Sequence, residues 1–237
     1  MDWGKAIEHN REALARILAT MFALAGIAVG EAVATLPRYR HRHLLNMLRP
    51  TEAAMRRLLV IAAREIVVEL AKARAAAAAP GSKAGRSPTF DATPRLSVVD
   101  PLPAFGARPF YRRPIGFPRV TVLGVSDPRP IPDGWIAGPG DAIDATALCR
   151  RLNMLRSVLD DLPGEALRLA RWRARRDRHL AARQETPATP DARRHRFSPL
   201  RPGRPPGLRR RRLRPVDHVL KECHALARHG GAAFGIP

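Results

Sequence analysis

The chain has 237 residues and a formal net charge of +21, from 42 lysines and arginines against 21 aspartates and glutamates. Aromatic residues make up only 5%, and 23 prolines and 17 glycines interrupt the sequence, so the composition argues against one large compact core. Two cysteines exclude a disulfide-rich secreted scaffold and a four-cysteine zinc module, while the excess of cations favours anionic partners.

An apolar run, residues 17–36, dominates the amino-terminal segment 1–36. It contains a single charged residue, Glu31, and stops at Pro37. As one helix the run would rise about 30 Å, which is enough to cross the hydrocarbon core of a bilayer. A transmembrane helix is therefore the first interpretation. The alternatives are a cleaved signal peptide and a buried helix of a soluble bundle.

A basic flank follows this run. Its six arginines are Arg38, Arg40, Arg42, Arg49, Arg56 and Arg57. Because positive charge marks the cytoplasmic side of a span, we expect residues 37–237 on the cytoplasmic side of the membrane. A cytoplasmic protein is the alternative. Arginines beside a span are also suited to contact anionic lipid or phosphate.

Three small residues suggest self-association of the same run. Gly26, Gly30 and Ala34 have the four-residue spacing that lets two helix backbones approach closely. This candidate helix-association face predicts a homo-oligomer that forms through residues 17–36.

The middle of the chain divides into a helical and an irregular segment. Residues 37–79 are predicted to be a basic flank and a helix, with a break and restart at Pro50. Residues 80–140 are rich in proline and predict an irregular linker. Within the linker, only residues 119–125 have the β-branched character of a strand.

A leucine stripe gives the clearest periodic signal, in a helical unit over residues 141–184. Its members recur at alternating four- and three-residue spacing: Leu148, Leu152, Leu155, Leu159, Leu162, Ala166 and Leu169. Asp141 or Asp144 is suited to cap the first helix of the unit. Pro163 lacks a backbone donor, so we expect either a kink or a restart of the helix there. The stripe predicts a packing seam.

Most of the excess charge lies in residues 168–214, where 17 arginines stand against three acids for a net charge of +14. Residues 185–215 combine arginine with proline and predict an extended, disordered arm. The candidate contacts to phosphate or anionic lipid in this region are Arg171, Arg173, Arg175, Arg176, Arg209, Arg210, Arg211 and Arg212. Nucleic acid, anionic lipid and an acidic protein all fit this charge.

The last segment, residues 216–237, predicts a short amphipathic helix and a tail, with Cys223 on the apolar side. The chain carries none of the nucleotide-binding, metalloprotease or nucleophile motifs of common enzymes. We therefore expect a non-enzymatic protein without a catalytic residue, a cofactor or a metal site. The expected fold is mainly α. A membrane-type helix and a few amphipathic helices alternate in it with long irregular segments, and no extensive sheet is expected.

Several strings resemble an uncharacterised alphaproteobacterial family of small basic proteins rich in arginine and proline. They are LRPTEAAMRRLLVIAAR from Leu48, LARW from Leu169, SPLRPGRPPG from Ser198 and ECHALA from Glu222. Together they cover under a third of the chain. The resemblance implies a bacterial source and one amino-terminal membrane segment, but no activity. With the orientation expected from charge, it places the protein in a bacterial inner membrane with its carboxyl-terminal part in the cytoplasm.

Two functional hypotheses follow. The first is a non-enzymatic, single-pass membrane-anchored interaction protein with a basic cytoplasmic region. The second is a soluble basic protein that binds nucleic-acid phosphate through residues 168–214, with residues 17–36 buried in a helical bundle.

Overall fold

The computed structural model describes residues 2–28, 30–69, 95–101, 138–185, 198–208 and 214–230. The elements in chain order are α1 (Trp3–Ala25), β1 (Thr35–Pro37), α2 (Arg38–Ala62), β2 (Ala142–Asp144), α3 (Thr146–Asp160), α4 (Leu162–Glu185) and α5 (Pro215–His229). Within these residues the chain is mainly helical and its strands form one two-stranded sheet. The prediction of a mainly α fold without an extensive sheet is therefore confirmed.

The first helix ends well inside the apolar run. Gly26 adopts a left-handed conformation with φ of 69° and caps α1 after Ala25, as glycine commonly does at a helix end. Gly30 has φ of 90° in the loop that follows, and Ala34 lies in the same loop, just before β1. The prediction of one helix over residues 17–36 is wrong, and so is the association face, because its three residues share no helix.

The apolar side of α1 faces the core of the protein. Its buried residues there are Leu14, Ile17, Leu18, Met21, Phe22 and Ala25. They join one hydrophobic cluster with side chains from α2, α3, α4 and α5. Among the helices that the structure describes, none is both long enough and apolar enough to cross a bilayer.

The second helix is the centre of the fold. Residues 51–61 are all buried, and α2 makes its most extensive contacts with α5 and α1. The expected break at Pro50 does not occur, because α2 runs through this proline from Arg38 to Ala62. The helix is also shorter than predicted at its carboxyl end, since residues 66–69 are not helical.

The two strands connect the start of α2 to the start of α3. They pair antiparallel, with Leu36 opposite Ile143. At the beginning of α3, the Asp144 carboxylate accepts a hydrogen bond of 2.9 Å from the Thr146 N–H. Of the two aspartates that the sequence suggests as caps, Asp144 is therefore the one that binds the first turn of α3.

The leucine stripe forms a packing seam, as its spacing predicts, and all seven of its members are buried. The helix restarts rather than kinks at Pro163, because α3 ends at Asp160 and α4 begins at Leu162. The Asp161 carboxylate accepts a hydrogen bond of 3.1 Å from the Gly164 N–H in the first turn of α4. The stripe therefore continues across two helices.

Part of the Arg/Pro arm packs against the body. Pro199, Leu200 and Pro205 are buried, and Gly207 lies against the backbone of α2 at Pro50. For residues 198–208 the prediction of a disordered arm is wrong, because proline and leucine side chains there bury apolar surface. Residues 186–197 and 209–213 lie outside the described residues, as does the candidate strand at 119–125.

Replacing Gly207 by alanine is expected to destabilise the fold by about 2–4 kcal/mol. Its φ of 84° disfavours a side chain, and a Cβ there would lie 2.7 Å from the Pro50 nitrogen. The matched control is Gly203→Ala, which has φ of 76° and open space around the position. That variant should lose only about 1 kcal/mol. Urea unfolding followed by circular dichroism measures both, and equal losses would contradict the close packing.

Candidate functional site

A buried ion pair joins α2 to the segment 95–101. The side chains of Arg57 and Asp100 are both 0% exposed, and Arg57 Nη2 lies 3.1 Å from Asp100 Oδ2. Arg57 Nη1 donates to the Ala53 carbonyl at 2.7 Å, and Nε donates to Nδ1 of His224 in α5 at 3.3 Å. All three nitrogens of this guanidinium therefore have partners inside the protein.

A second arginine on α2 extends this cluster. Arg56 donates from Nε to the Ser97 carbonyl at 3.0 Å and lies 3.8 Å from Asp100 Oδ1 and 3.9 Å from Glu52 Oε2. Glu52 Oε1 is also 2.8 Å from Nε of Arg151 on α3. Burial lowers the pKa of Arg56, and the facing carboxylates oppose that change because they favour the charged form.

Two of the arginines that the sequence predicted to contact lipid or phosphate are buried in this cluster instead. Arg56 and Arg57 are 7% and 0% exposed and already face carboxylates, so neither is available to an external anion. Asp100 also accepts the backbone N–H of Arg201 at 3.1 Å. The cluster therefore holds two segments without regular secondary structure, 95–101 and 198–208, against the helices.

The cysteine of α5 takes part in packing. Burial raises the pKa of the Cys223 thiol to about 12, so the thiol stays protonated and donates to Asn10 Oδ1 at 3.2 Å. Asn10 in turn donates to Glu222 Oε1 at 3.0 Å.

His229, near the end of α5, stacks on Trp3 of α1 with ring centroids 6.3 Å apart. Among the described residues no three His, Cys, Asp or Glu side chains converge as metal ligands would.

The predicted basic residues of α4 fall into two groups. Arg171 and Arg175 are exposed. Arg173 is half-buried and donates to the Ile66 carbonyl at 2.7 Å, beyond the end of α2. Arg176 is half-buried, with Nη2 2.6 Å from Asp177 and its guanidinium 5.6 Å from the Trp172 ring. Arg209, Arg210, Arg211 and Arg212 lie outside the described residues.

The arginines at the start of α2 lie several helical turns before the buried cluster of Arg56 and Arg57. Arg38 Nη2 lies 3.6 Å from Asp141 Oδ2, which compensates its charge. Arg40 and Arg42 are exposed. Tyr39 lies between Arg38 and Arg40, and His43 directly follows Arg42. Neither of them was predicted from the sequence as a binding residue. Their alternation with arginine in the string RYRHRH was the available signal.

Comparison with protein-family models, curated proteins and solved structures finds no match. Membership of the alphaproteobacterial family that the sequence resembles therefore stays a prediction.

Removing one partner of the buried ion pair is expected to be costly. Asp100→Ala leaves the cation of Arg57 buried and uncompensated, which should lower the free energy of unfolding by about 3–5 kcal/mol. The matched control is Asp160→Ala, which breaks the exposed Arg156–Asp160 pair on α3 and should change stability by less than about 0.5 kcal/mol. Equal effects in denaturant titrations would contradict the structural role of Asp100.

Protonation of His224 is expected to destabilise the fold. Burial lowers the pKa of His224 below its usual 6.5, and the cations Arg57 and Arg228 lower it further. The unfolded chain therefore binds this proton more readily, and the contribution of His224 is full above pH 6.5 and is lost as the pH falls below that value. His224→Asn keeps an acceptor but does not titrate. Unfolding at pH 7.5 and 5.0 should show a smaller loss in this variant than in the wild type. Equal losses would exclude His224 as the sensitive group.

Proposed function

We propose that the protein is a non-enzymatic, basic helical protein that binds the phosphate backbone of nucleic acid through residues 168–214. The observation that carries this proposal is the exposure of Arg171 and Arg175 on α4. Four residues apart, they lie one above the other on the same side of the helix. Guanidinium groups remain charged at any physiological pH and pair bidentately with phosphate oxygens.

The surrounding charge supports the proposal. Residues 168–214 carry a net charge of +14, and the Asp177 carboxylate among them is already 2.6 Å from Arg176 Nη2. An anionic polymer that approaches this region meets a strong excess of cations. Binding of this kind releases counterions from the nucleic acid, so its affinity falls steeply as salt increases.

Membrane anchorage is the less favoured function. It would use residues 17–36 as a span. Five apolar side chains of this run are buried in the protein core: Ile17, Leu18, Met21, Phe22 and Ala25. Exposing them to lipid would require the run to separate from α2 and α3. A nucleic-acid partner requires no such change, and it fits the cytoplasmic location that the sequence offered as the alternative.

The test is a pair of double variants with equal loss of charge. Arg171→Gln with Arg175→Gln should weaken binding of a fluorescein-labelled 20-nucleotide RNA or DNA strand. The slope of log affinity against log salt should fall by about 1.4, since each single-strand phosphate contact contributes about 0.7. Fluorescence anisotropy between 50 and 400 mM salt measures both quantities.

The control is Arg16→Gln with Arg228→Gln, which removes two exposed arginines from α1 and α5. It should leave the slope unchanged. Equal losses in both double variants would mean that only the total charge matters and would overturn the assignment to α4. Recovery of the chain in carbonate-washed membranes would instead favour the anchored protein.

A further inference from the structure

A cavity of about 420 Å³ lies between the end of α1 and the first turns of α2. Among the described residues, its lining consists of Leu24, Tyr39, Arg40 and His43. The volume falls in the range of sites that hold small organic ligands. None of these four residues belongs to the buried charge cluster or to α4, so the cavity is separate from the exposed arginines of α4.

The two-stranded sheet and its loop hold the first turn of α2 in place. The Arg38 N–H donates to the Asp141 carbonyl at 2.8 Å, and the Tyr39 N–H donates to the Pro139 carbonyl at 3.0 Å. These two backbone donors are occupied. A ligand in the cavity would therefore be recognised by side chains rather than by the amino end of the helix.

One wall of the cavity is aromatic and apolar. Tyr39 is 53% exposed and Leu24 is 40% exposed, and they are two of the three most exposed large hydrophobic side chains among the described residues. An exposed aromatic ring beside an aliphatic side chain offers a surface on which a flat ring can stack. The aromatic wall fits a ligand with a planar, partly apolar body.

The other wall carries positive charge. The Arg40 Nε donates to the Tyr39 hydroxyl at 3.0 Å, with the guanidinium carbon 5.8 Å from the ring centroid. This bond uses one of five N–H groups and leaves both terminal amino groups for an anion. His43 lies three residues after Arg40 and thus on the same side of the helix. Within the described part of the chain, no carboxylate pairs with either residue.

We propose that this cavity binds one nucleotide of a single-stranded nucleic acid, with the base against Tyr39 and Leu24 and a phosphate against Arg40 and His43. A stacking ring next to a cation is the combination that single-stranded nucleic acid requires, because every base has a π-face and every nucleotide a phosphate. A duplex keeps its bases stacked on one another, so it cannot fill the aromatic wall.

The inference goes beyond the proposed function because it adds a base contact at a second place. Arg173 of α4 contacts Ile66, beyond the carboxyl end of α2, whereas the cavity lies at the amino end. A helix rises 1.5 Å per residue, so Tyr39 and Ile61 are about 33 Å apart along α2. Loss of either contact can therefore be measured without direct disturbance of the other.

The test uses a 12-nucleotide single-stranded DNA that carries 2-aminopurine, and the duplex of the same sequence. Tyr39→Leu should weaken single-strand binding about tenfold and abolish the quenching of 2-aminopurine that stacking on the ring produces, with duplex binding unchanged. Arg40→Gln should weaken single-strand binding with the quenching reduced. The matched control is Arg42→Gln, an exposed arginine on the same helix that does not line the cavity, which should change affinity less than twofold.

Each outcome decides one of the two proposals. If Tyr39→Leu and Arg40→Gln bind the single strand as the wild type does, the cavity proposal is overturned, even where the α4 double variant loses affinity. If the cavity variants lose affinity and the α4 variant does not, the cavity stands and the proposed function of α4 fails. If Tyr39→Leu and Arg40→Gln lose binding to vesicles of anionic phospholipid while their oligonucleotide binding is unchanged, the cavity proposal is also overturned.

Discussion

The ion pair between Arg57 and Asp100 is the contact on which the arrangement of the chain depends. Transfer of two charges into a protein interior is unfavourable unless they meet each other and find further hydrogen bonds. Here the pair also contacts His224 of α5 and the backbone N–H of Arg201. Helix α2, helix α5 and two irregular segments are thus joined at one point. Their apolar side chains then complete the core around it.

Features with a local cause were predictable from the sequence. The leucine stripe from Leu148 to Leu169 follows from a repeat of 3.5 residues, and the restart at Pro163 follows from the chemistry of one residue. The end of α1 at Gly26 was not predicted, because hydropathy measures the length of an apolar run and not the backbone conformation within it. The role of Pro50 was also missed, since the burial of residues on all sides of α2 tolerates a proline that an isolated helix would not.

Arginine has the same sequence signature whether it is buried or exposed, and this explains the mixed outcome for the basic residues. Arg42 and Arg57 belong to the same flank, yet one is exposed and the other is among the most buried side chains. The difference comes from Asp100, which lies in a proline-rich segment without periodicity and 43 residues from Arg57. The total charge of the chain therefore overstates the charge that faces a partner. The exposed arginines include Arg40 and Arg42 at the start of α2 and Arg171 and Arg175 on α4.

The position of α5 has a consequence for how the protein is made. A chain emerges from the ribosome amino end first, so α1 and α2 are synthesised long before Asp100 and His224. During that interval the Arg57 side chain lacks the groups that make its burial favourable. The native burial of Arg57 can therefore be complete only after α5 has been translated, because Nε of Arg57 donates to His224.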